Sequence, residues 1–429
     1  ADAVCAVLRI NSINMLNNFF DIGGDSINAI YIVSDLENIG YELYVADLMQ
    51  KENFAAVAKA MKSTSAKAIY DQGEANGFIP FSPIMHAFLN ESNIIPKDFD
   101  QTCIISDDCD EDTLKKALDA LICHHDILRG TFSDEGIEIH PSAERTAYSF
   151  KAVTIDDTDK AIEYLNSTNI DDKNLVNVIF CKTKKESLIR ITVHHFLIDL
   201  VSWEVLLKDF QTAVTQLKNK EEVSLSAKTA SFKMWSDTIQ EYSETISDET
   251  KEYWKSINTK LDDAKILCSD TETENAAETF SYTFDANISD KIINEANNTY
   301  GTRTNELLLT ALGLAAGKIA GGSVGIIVES HGRAELHKPI SIEHTIGWFT
   351  SCYPVIINNK NSVADELINT KETLRRIPHN GIDYLLVSPK LHNNTDIIFN
   401  FYQNRVADED RKNKLAAFNG ETSLFPGKI

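Results

Sequence analysis

The polar stretch "STSAKAIYDQGEANGF" (residues 63–78) separates two regions of different periodicity, and that break limits the architectures open to the chain. Before it, apolar residues recur at helical spacing. Ile30, Val33 and Leu36 fall on one face after Ser26, "ENIGYEL" ends that helix at Gly40, and "VADLMQ" and "NFAAVAKAMK" add shorter apolar faces. A helical unit of this size is near the lower limit for folding alone. After the break, strands and helices mix. "ESLIRITVHHF" alternates polar with β-branched residues as a strand does, and "LVSWEVLLKDFQTAVTQL" reads as a helix. "TNELLLTALGLAAGKIAGG" is a helix starting near a threonine cap and stopped by glycines. "SVGIIVES" and "TDIIFNFYQN" read as strands. A region that long exceeds one typical core, so two α/β lobes are expected, divided in the polar segment "YSETISDETKEYWKSINTKLDDAKILCSDTETENAAE". The expected boundaries are 1–62 for the helical bundle, 63–78 for a linker, and 79–250 and 251–429 for the lobes.

Charge and cysteine usage narrow the function classes. The chain carries 41 Lys and Arg against 64 Asp and Glu, a net charge of -23. Nucleic acid is therefore not an expected partner, since phosphate binding needs a basic surface. Anionic membranes are disfavoured for the same reason. No apolar run approaches the ~20 residues of a membrane-spanning helix. "ADAVCAVLRI" lacks the basic start of a signal peptide and reads as part of a helix cut from a longer chain. The seven cysteines form no C-x-x-C pair and are odd in number, which reads as reduced thiols in a cytoplasmic protein, with neither a metal site nor a disulfide framework.

Three clusters carry chemistry. In "NNFFDIGGDSINAIYIVSDLE", Gly23-Gly24 permits positive φ, and Asp25 and Ser26 open a helix whose first turn favours an anion. Those four residues alone describe an ordinary helix cap. The whole stretch resembles the peptidyl carrier protein domains of nonribosomal peptide synthetases, with their aromatic-rich turn, D-x-G-G-x-S and helix. The resemblance covers residues 1–62. It implies that Ser26, presented by Gly24 and Asp25, bears 4'-phosphopantetheine, added by a phosphopantetheinyl transferase. "GGDS" in place of "GGHS" further implies a carrier that feeds an epimerization domain.

"HHFLIDLVSW" places His194 and His195 at a strand end, with Asp199, Ser202 and Trp203 following. A histidine so held can act as a general base. Satisfied structural histidines, or a metal site through His195 and Asp199, are the other readings. The stretch resembles the H-H-x-x-x-D-G signature of the condensation and epimerization superfamily, whose fold is chloramphenicol-acetyltransferase-like. That resemblance implies a catalytic His195 and structural roles for His194 and Asp199, the latter paired to an arginine. Leu200 stands where the family has glycine, which implies a shifted backbone if that glycine takes positive φ. A second pair, His124-His125 in "CHHDILRGTF", resembles an early motif whose histidines are not catalytic.

Glu329 ends the apolar strand "VGIIV", where partial desolvation raises a carboxyl toward general acid/base use. A salt bridge to Arg333 is the competing reading. "VESHGRAEL" resembles the epimerization motif E-G-H-G-R-E at Glu329, His331, Gly332 and Arg333, departing at Ser330 and Ala334. By the resemblance Glu329 is the second catalytic group, with His331 and Arg333 supporting it. "HTIGWFTSCYPV" resembles R-T-V-G-W-F-T-x-x-Y-P-V, the stretch that separates epimerization from condensation domains, with His344 for the arginine. "RIPHNGIDYLL" resembles P-x-x-G-x-G-Y-G with Asp383 for a glycine. "FNFYQN" resembles F-N-Y-L-G-Q with Phe401 at the tyrosine, so any hydroxyl there falls to Tyr402.

These resemblances span residues 78–429. They imply a multi-domain chain: a small α-helical carrier bundle, then a two-lobed α/β domain that inverts the α-carbon of an aminoacyl or peptidyl thioester. An upstream adenylation domain and a downstream condensation domain are the implied partners. Peptide-bond formation by His195 alone, or a silent carrier-binding module, are the rival functions.

Overall fold

The computed structural model describes all residues except 9, 25, 64–69, 93, 98, 145–146, 169–173, 268–279, 335, 337–339, 360–361, 402–414 and 420–429. The first unit consists of helices Asp2–Leu8, Ser26–Asn38, Val45–Gln50 and Phe54–Ala60 around their own core, which includes Phe19, Ile32, Leu36, Leu48 and Phe54. The periodic positions Val33 and Leu36 are buried as expected. Gly40, at φ 87°, follows the end of the second helix.

The large domain holds a five-stranded sheet in the order Leu415–Asn419, Asp100–Asp107, Ser187–His194, Val176–Lys182, Ser149–Thr154. Only the last pair is parallel. Alternation in "ESLIRITVH" predicts one wet face, yet all of Ser187–His194 is buried. Helix Thr158–Ser167 covers the second face, packing Ala161 and Leu165 on Ile104, Ile179 and Leu188. The polar residues on that face are paired internally. Arg190 Nη1 donates to the carbonyls of Leu165 (2.5 Å) and Thr168 (2.8 Å), and Thr192 Oγ1 lies 2.9 Å from Thr102 Oγ1.

A three-stranded sheet is centred on Val324–Ser330, with Ser351–Ile357 antiparallel on one side and Ile397–Phe399 parallel on the other. One apolar cluster runs from Ile79 to Ile397, so the two sheets share a continuous core. The segment expected to divide the lobes holds the end of helix Phe232–Thr245 and all of helix Asp248–Leu261, whose Trp254 is fully buried; residues 268–279 lie outside the described part. One local expectation is corrected. The helix Thr304–Ala320 is capped at Arg303, not by threonine: Glu306 accepts the Arg303 backbone N–H at 2.8 Å.

Candidate functional site

His195 follows the last residue of strand Ser187–His194 and starts a short 3-10 turn. Its ring stacks on Phe99 (centroids 4.9 Å apart, 16° between planes) and packs beside Trp348 (4.7 Å). Nδ1 contacts the Ile198 carbonyl at 2.8 Å, and Nε2 contacts the Gln101 side-chain nitrogen at 2.9 Å. The Trp203 indole N–H donates to Gln101 Oε1 at 2.8 Å. Burial holds the His195 pKa below its ordinary value. His194 is bound differently: its Nε2 faces the Pro96 carbonyl at 3.0 Å, and its Nδ1 accepts the Phe196 N–H. That arrangement suits a structural residue.

Asp199 caps helix Leu200–Lys218. Its Oδ1 accepts the Ser202 N–H at 2.8 Å, its Oδ2 accepts the Phe349 N–H at 3.0 Å, and Arg333 Nη2 lies 3.5 Å from Oδ1. Leu200 is the first helical residue and has no positive φ. Arg333 is buried over the Phe349 ring at 4.1 Å. It donates to the carbonyls of Ile342 and Thr345 and to Ser202 Oγ (2.9 Å), which in turn donates to the Gly347 carbonyl. Gly332, at φ 65°, presses on this loop; a Cβ there would sit 1.7 Å from the Phe349 carbonyl oxygen. His331 Nδ1 accepts the Arg333 N–H at 3.1 Å, and burial together with the Arg333 charge brings its pKa down to about 4.

Arg333 therefore serves Asp199 and leaves Glu329 without a cation among the described residues. Glu329 pairs in register with Cys352 across the small sheet, and its Oε2 accepts from Asn400 Nδ2 at 2.7 Å. The residue keeps part of its surface open to solvent while protein surrounds most of it; that burial pushes its pKa up to about 8. No hydrogen bond joins His195 to Glu329 among the described residues. They belong to the two sheets, and the segment running from Trp348 to Cys352 touches both. Asp383 is fully buried and accepts from Tyr242 Oη (2.5 Å) and His379 Nδ1 (2.9 Å), so this departure from the motif is internally satisfied. Tyr402 and Asp25 lie outside the described residues. In the other histidine pair, His125 Nε2 faces Asp209 at 3.1 Å.

The sequence reading missed Gln101, Phe99 and Asn400. Gln101 is a polar residue at a buried strand position, a signal that "FDQTCII" carries in retrospect.

In the small bundle, Gly23 has φ 98°, and a Cβ on Gly24 would meet the Phe19 ring at 2.2 Å. The turn therefore needs both glycines, and it delivers Ser26 as the first residue of a 13-residue helix, where the positive end of the helix dipole suits a phosphodiester. The residues fit phosphopantetheine. The same helix touches the large domain. Tyr31 Oη donates to Glu204 Oε2 at 3.3 Å on helix Leu200–Lys218, one residue beyond Trp203, and the Arg303 guanidinium lies 4.4 Å over the Phe20 ring.

A glycine-turn carrier bundle seated on a two-sheet α/β domain with a buried strand-end histidine defines the class: carrier plus acyltransferase-like domain. Residues 99–426 match the condensation domain family and residues 1–61 the phosphopantetheine attachment site family. The chain belongs to the condensation domain family and carries a phosphopantetheine attachment domain at its N-terminal side. It is 30% identical over 402 residues to tyrocidine synthase 1 of Brevibacillus parabrevis, covering 88% of this chain and 36% of that one. It is 29% identical over 398 residues to gramicidin S synthase 1 of Brevibacillus brevis, covering 88% and 36%. The chain thus spans only 36% of the length of each of these relatives. In structure it is similar to the epimerization domain from the third module of tyrocidine synthetase B (TM-score 0.66, 28% identity, 77% of this chain and 82% of that one). The condensation domain of Monacolin K polyketide synthase MokA shares the fold (TM-score 0.57, 17% identity, 76% and 82%). Among the described residues no helix is long and apolar enough to cross a membrane.

Proposed function

We propose that this chain is the carrier and epimerase of a nonribosomal peptide synthetase module, converting an L-aminoacyl or peptidyl group held on Ser26 into its D-form. The observation that supports this best is Glu329, a carboxyl on a partly open wall, unpaired with Arg333, with its pKa pushed up to about 8. A carboxyl in that range is suited to general-base use, because its pKa lies close to a neutral working pH. The phosphopantetheine arm supplies the acyl group as a thioester, whose carbonyl acidifies the α C–H. Glu329 takes that proton at a carboxylate oxygen while Asn400 Nδ2–H holds the carboxylate in place through Oε2. A proton returned to the opposite face inverts the centre. Phe99, Trp348 and Phe196 keep bulk water from the His195 side. The motif "GWFTSCYPV" and the 28% likeness to an epimerization domain favour this reading over peptide-bond formation. An upstream adenylation domain and a downstream condensation domain complete the proposed assembly line.

The test is to load Ser26 with an L-aminoacyl phosphopantetheine in heavy water. Deuterium at the α-carbon and a mixture of L- and D-forms are expected. No α-exchange in the intact chain, or peptide-bond formation with an added acceptor in its place, would overturn the reading.

A further inference from the structure

The contacts around His195 carry more than its placement, because two of its neighbours have only one possible role. An indole N–H can only donate, so the Gln101 amide must turn its oxygen toward Trp203 Nε1 (2.8 Å). The amide nitrogen then faces His195 Nε2 at 2.9 Å, and an amide nitrogen also only donates. His195 Nε2 is thereby an acceptor with no proton. The Ile198 carbonyl can only accept, so Nδ1, 2.8 Å away, carries the ring proton. One chain of bonds, Trp203 to Gln101 to His195 to Ile198, leaves a single consistent assignment. All three side chains are buried, with relative exposures of 1%, 4% and 5%, and the imidazole packs against Phe99 and Trp348. Neither ring nitrogen is open to another partner.

We infer that Gln101 is a positioning residue that locks His195 as the neutral Nδ1–H tautomer with Nε2 occupied, so that Glu329, not His195, takes the substrate's α-proton. The second half rests on the epimerase reading above; the first half stands without it. The consequence is specific to this geometry. A histidine acting as the lone base of peptide-bond formation must offer an unprotonated ring nitrogen to its substrate, and here Gln101 already fills that nitrogen while Nδ1 is held by the Ile198 carbonyl. Removing the amide donor opens Nε2 to a proton. Replacing it with a carboxylate places an acceptor against an acceptor, which is relieved by a proton taken up between the two, and the more basic imidazole is its expected holder.

The experiment uses the full chain labelled with 15N-histidine, with His195 assigned by the loss of its signals in His195→Gln. The expected wild-type pattern is one neutral imidazole protonated at Nδ1, unchanged between about pH 6 and about pH 8.5. Gln101→Leu is expected to lose that single form, with tautomer exchange and titration within this range; Gln101→Glu is expected to show imidazolium at about pH 7. Tryptophan fluorescence of both variants reports whether the domain remains folded. A wild-type His195 protonated at Nε2, or one that titrates near the ordinary value of about 6.5, overturns the inference, as does a pattern unchanged in a folded Gln101→Leu. In the reaction, wild-type α-exchange is expected to follow one ionisation, and folded Gln101→Leu to gain a second limb from His195. A wild-type profile already carrying an imidazole limb overturns the assignment of the proton to Glu329. A chain with no exchange at all defeats the epimerase reading while the tautomer measurement still decides the role of Gln101.

Discussion

Replacing Glu329 by Gln separates stability from activity in a way that few substitutions do. The Glu329 carboxyl has its pKa raised from 4.5 to about 8 by burial. The folded state therefore prefers the neutral form. Below pH 4.5 both folded and unfolded states are neutral and burial costs nothing through this group. Between 4.5 and about 8 the unfolded chain ionises and the folded one resists, so stability falls as pH rises; above about 8 the loss levels off. Linkage gives roughly 3 kcal/mol at about pH 7, or about 2–3 kcal/mol after discounting for the solvent that still reaches the side chain. Glutamine is neutral at every pH, nearly isosteric, and its amide oxygen can still accept from Asn400 Nδ2, now 2.7 Å from Oε2. Glu329→Gln is thus expected to gain about 2–3 kcal/mol at about pH 7 and to lose α-proton exchange. The four tryptophans, Trp203, Trp235, Trp254 and Trp348, all lie in the large domain, so urea unfolding followed by their fluorescence reports that domain alone. With a slope of about 3 kcal/mol/M the midpoint rises by about 1 M near neutral pH, and the gap closes as the pH falls toward the ordinary carboxyl range. A variant no more stable than wild type at neutral to mildly alkaline pH, or one retaining exchange within about twofold, would refute the reasoning.

Two other perturbations test the neighbouring structure. Tyr31→Phe removes the hydroxyl that donates to Glu204, a bond to a charged group worth about 1.5 kcal/mol. Exchange of the Ser26-borne substrate should slow roughly tenfold, while exchange of a small soluble aminoacyl thioester stays unchanged; equal slowing of both would show that the contact does not seat the carrier. His379 has its pKa raised by its bond to buried Asp383, so its contribution is full below 6.5 and fades as pH rises through the folded value. Wild type should therefore exceed His379→Gln in urea midpoint at about pH 5.5, with the gap narrowing by about pH 8.5; a constant gap rules out that ion pair as the source.

How much was legible in the sequence depended on whether the signal was local. Glycine spacing and helical periodicity pointed to the turn at Gly23-Gly24 and the helix beginning at Ser26, because φ preference and a buried stripe act within a few residues. The strand-end position of His195 and the strand before Glu329 were readable for the same reason. Polarity misled where tertiary cover reversed it: the strand Ser187–His194 alternates like a half-exposed strand, but helix Thr158–Ser167 buries its second face. In the charged segment near residue 250, helix Asp248–Leu261 turns one face inward and buries Trp254.

The chemistry of the site followed the same division. Residue type alone established that Glu329 and His195 can exchange protons, since that is a property of their side chains. Which partner each one has could not be read from spacing. Arg333, four residues from Glu329, pairs with Asp199, 134 residues away, and Glu329 is left to Asn400, 71 residues away. Gln101 reaches His195 across 94 residues and Trp203 across 102. A pKa depends on desolvation and on the charges within a few ångströms, and a tautomer depends on which atom faces each ring nitrogen. Both are fixed when strands from distant parts of the chain pack together, so the sequence named the titratable groups and the tertiary structure set their protonation.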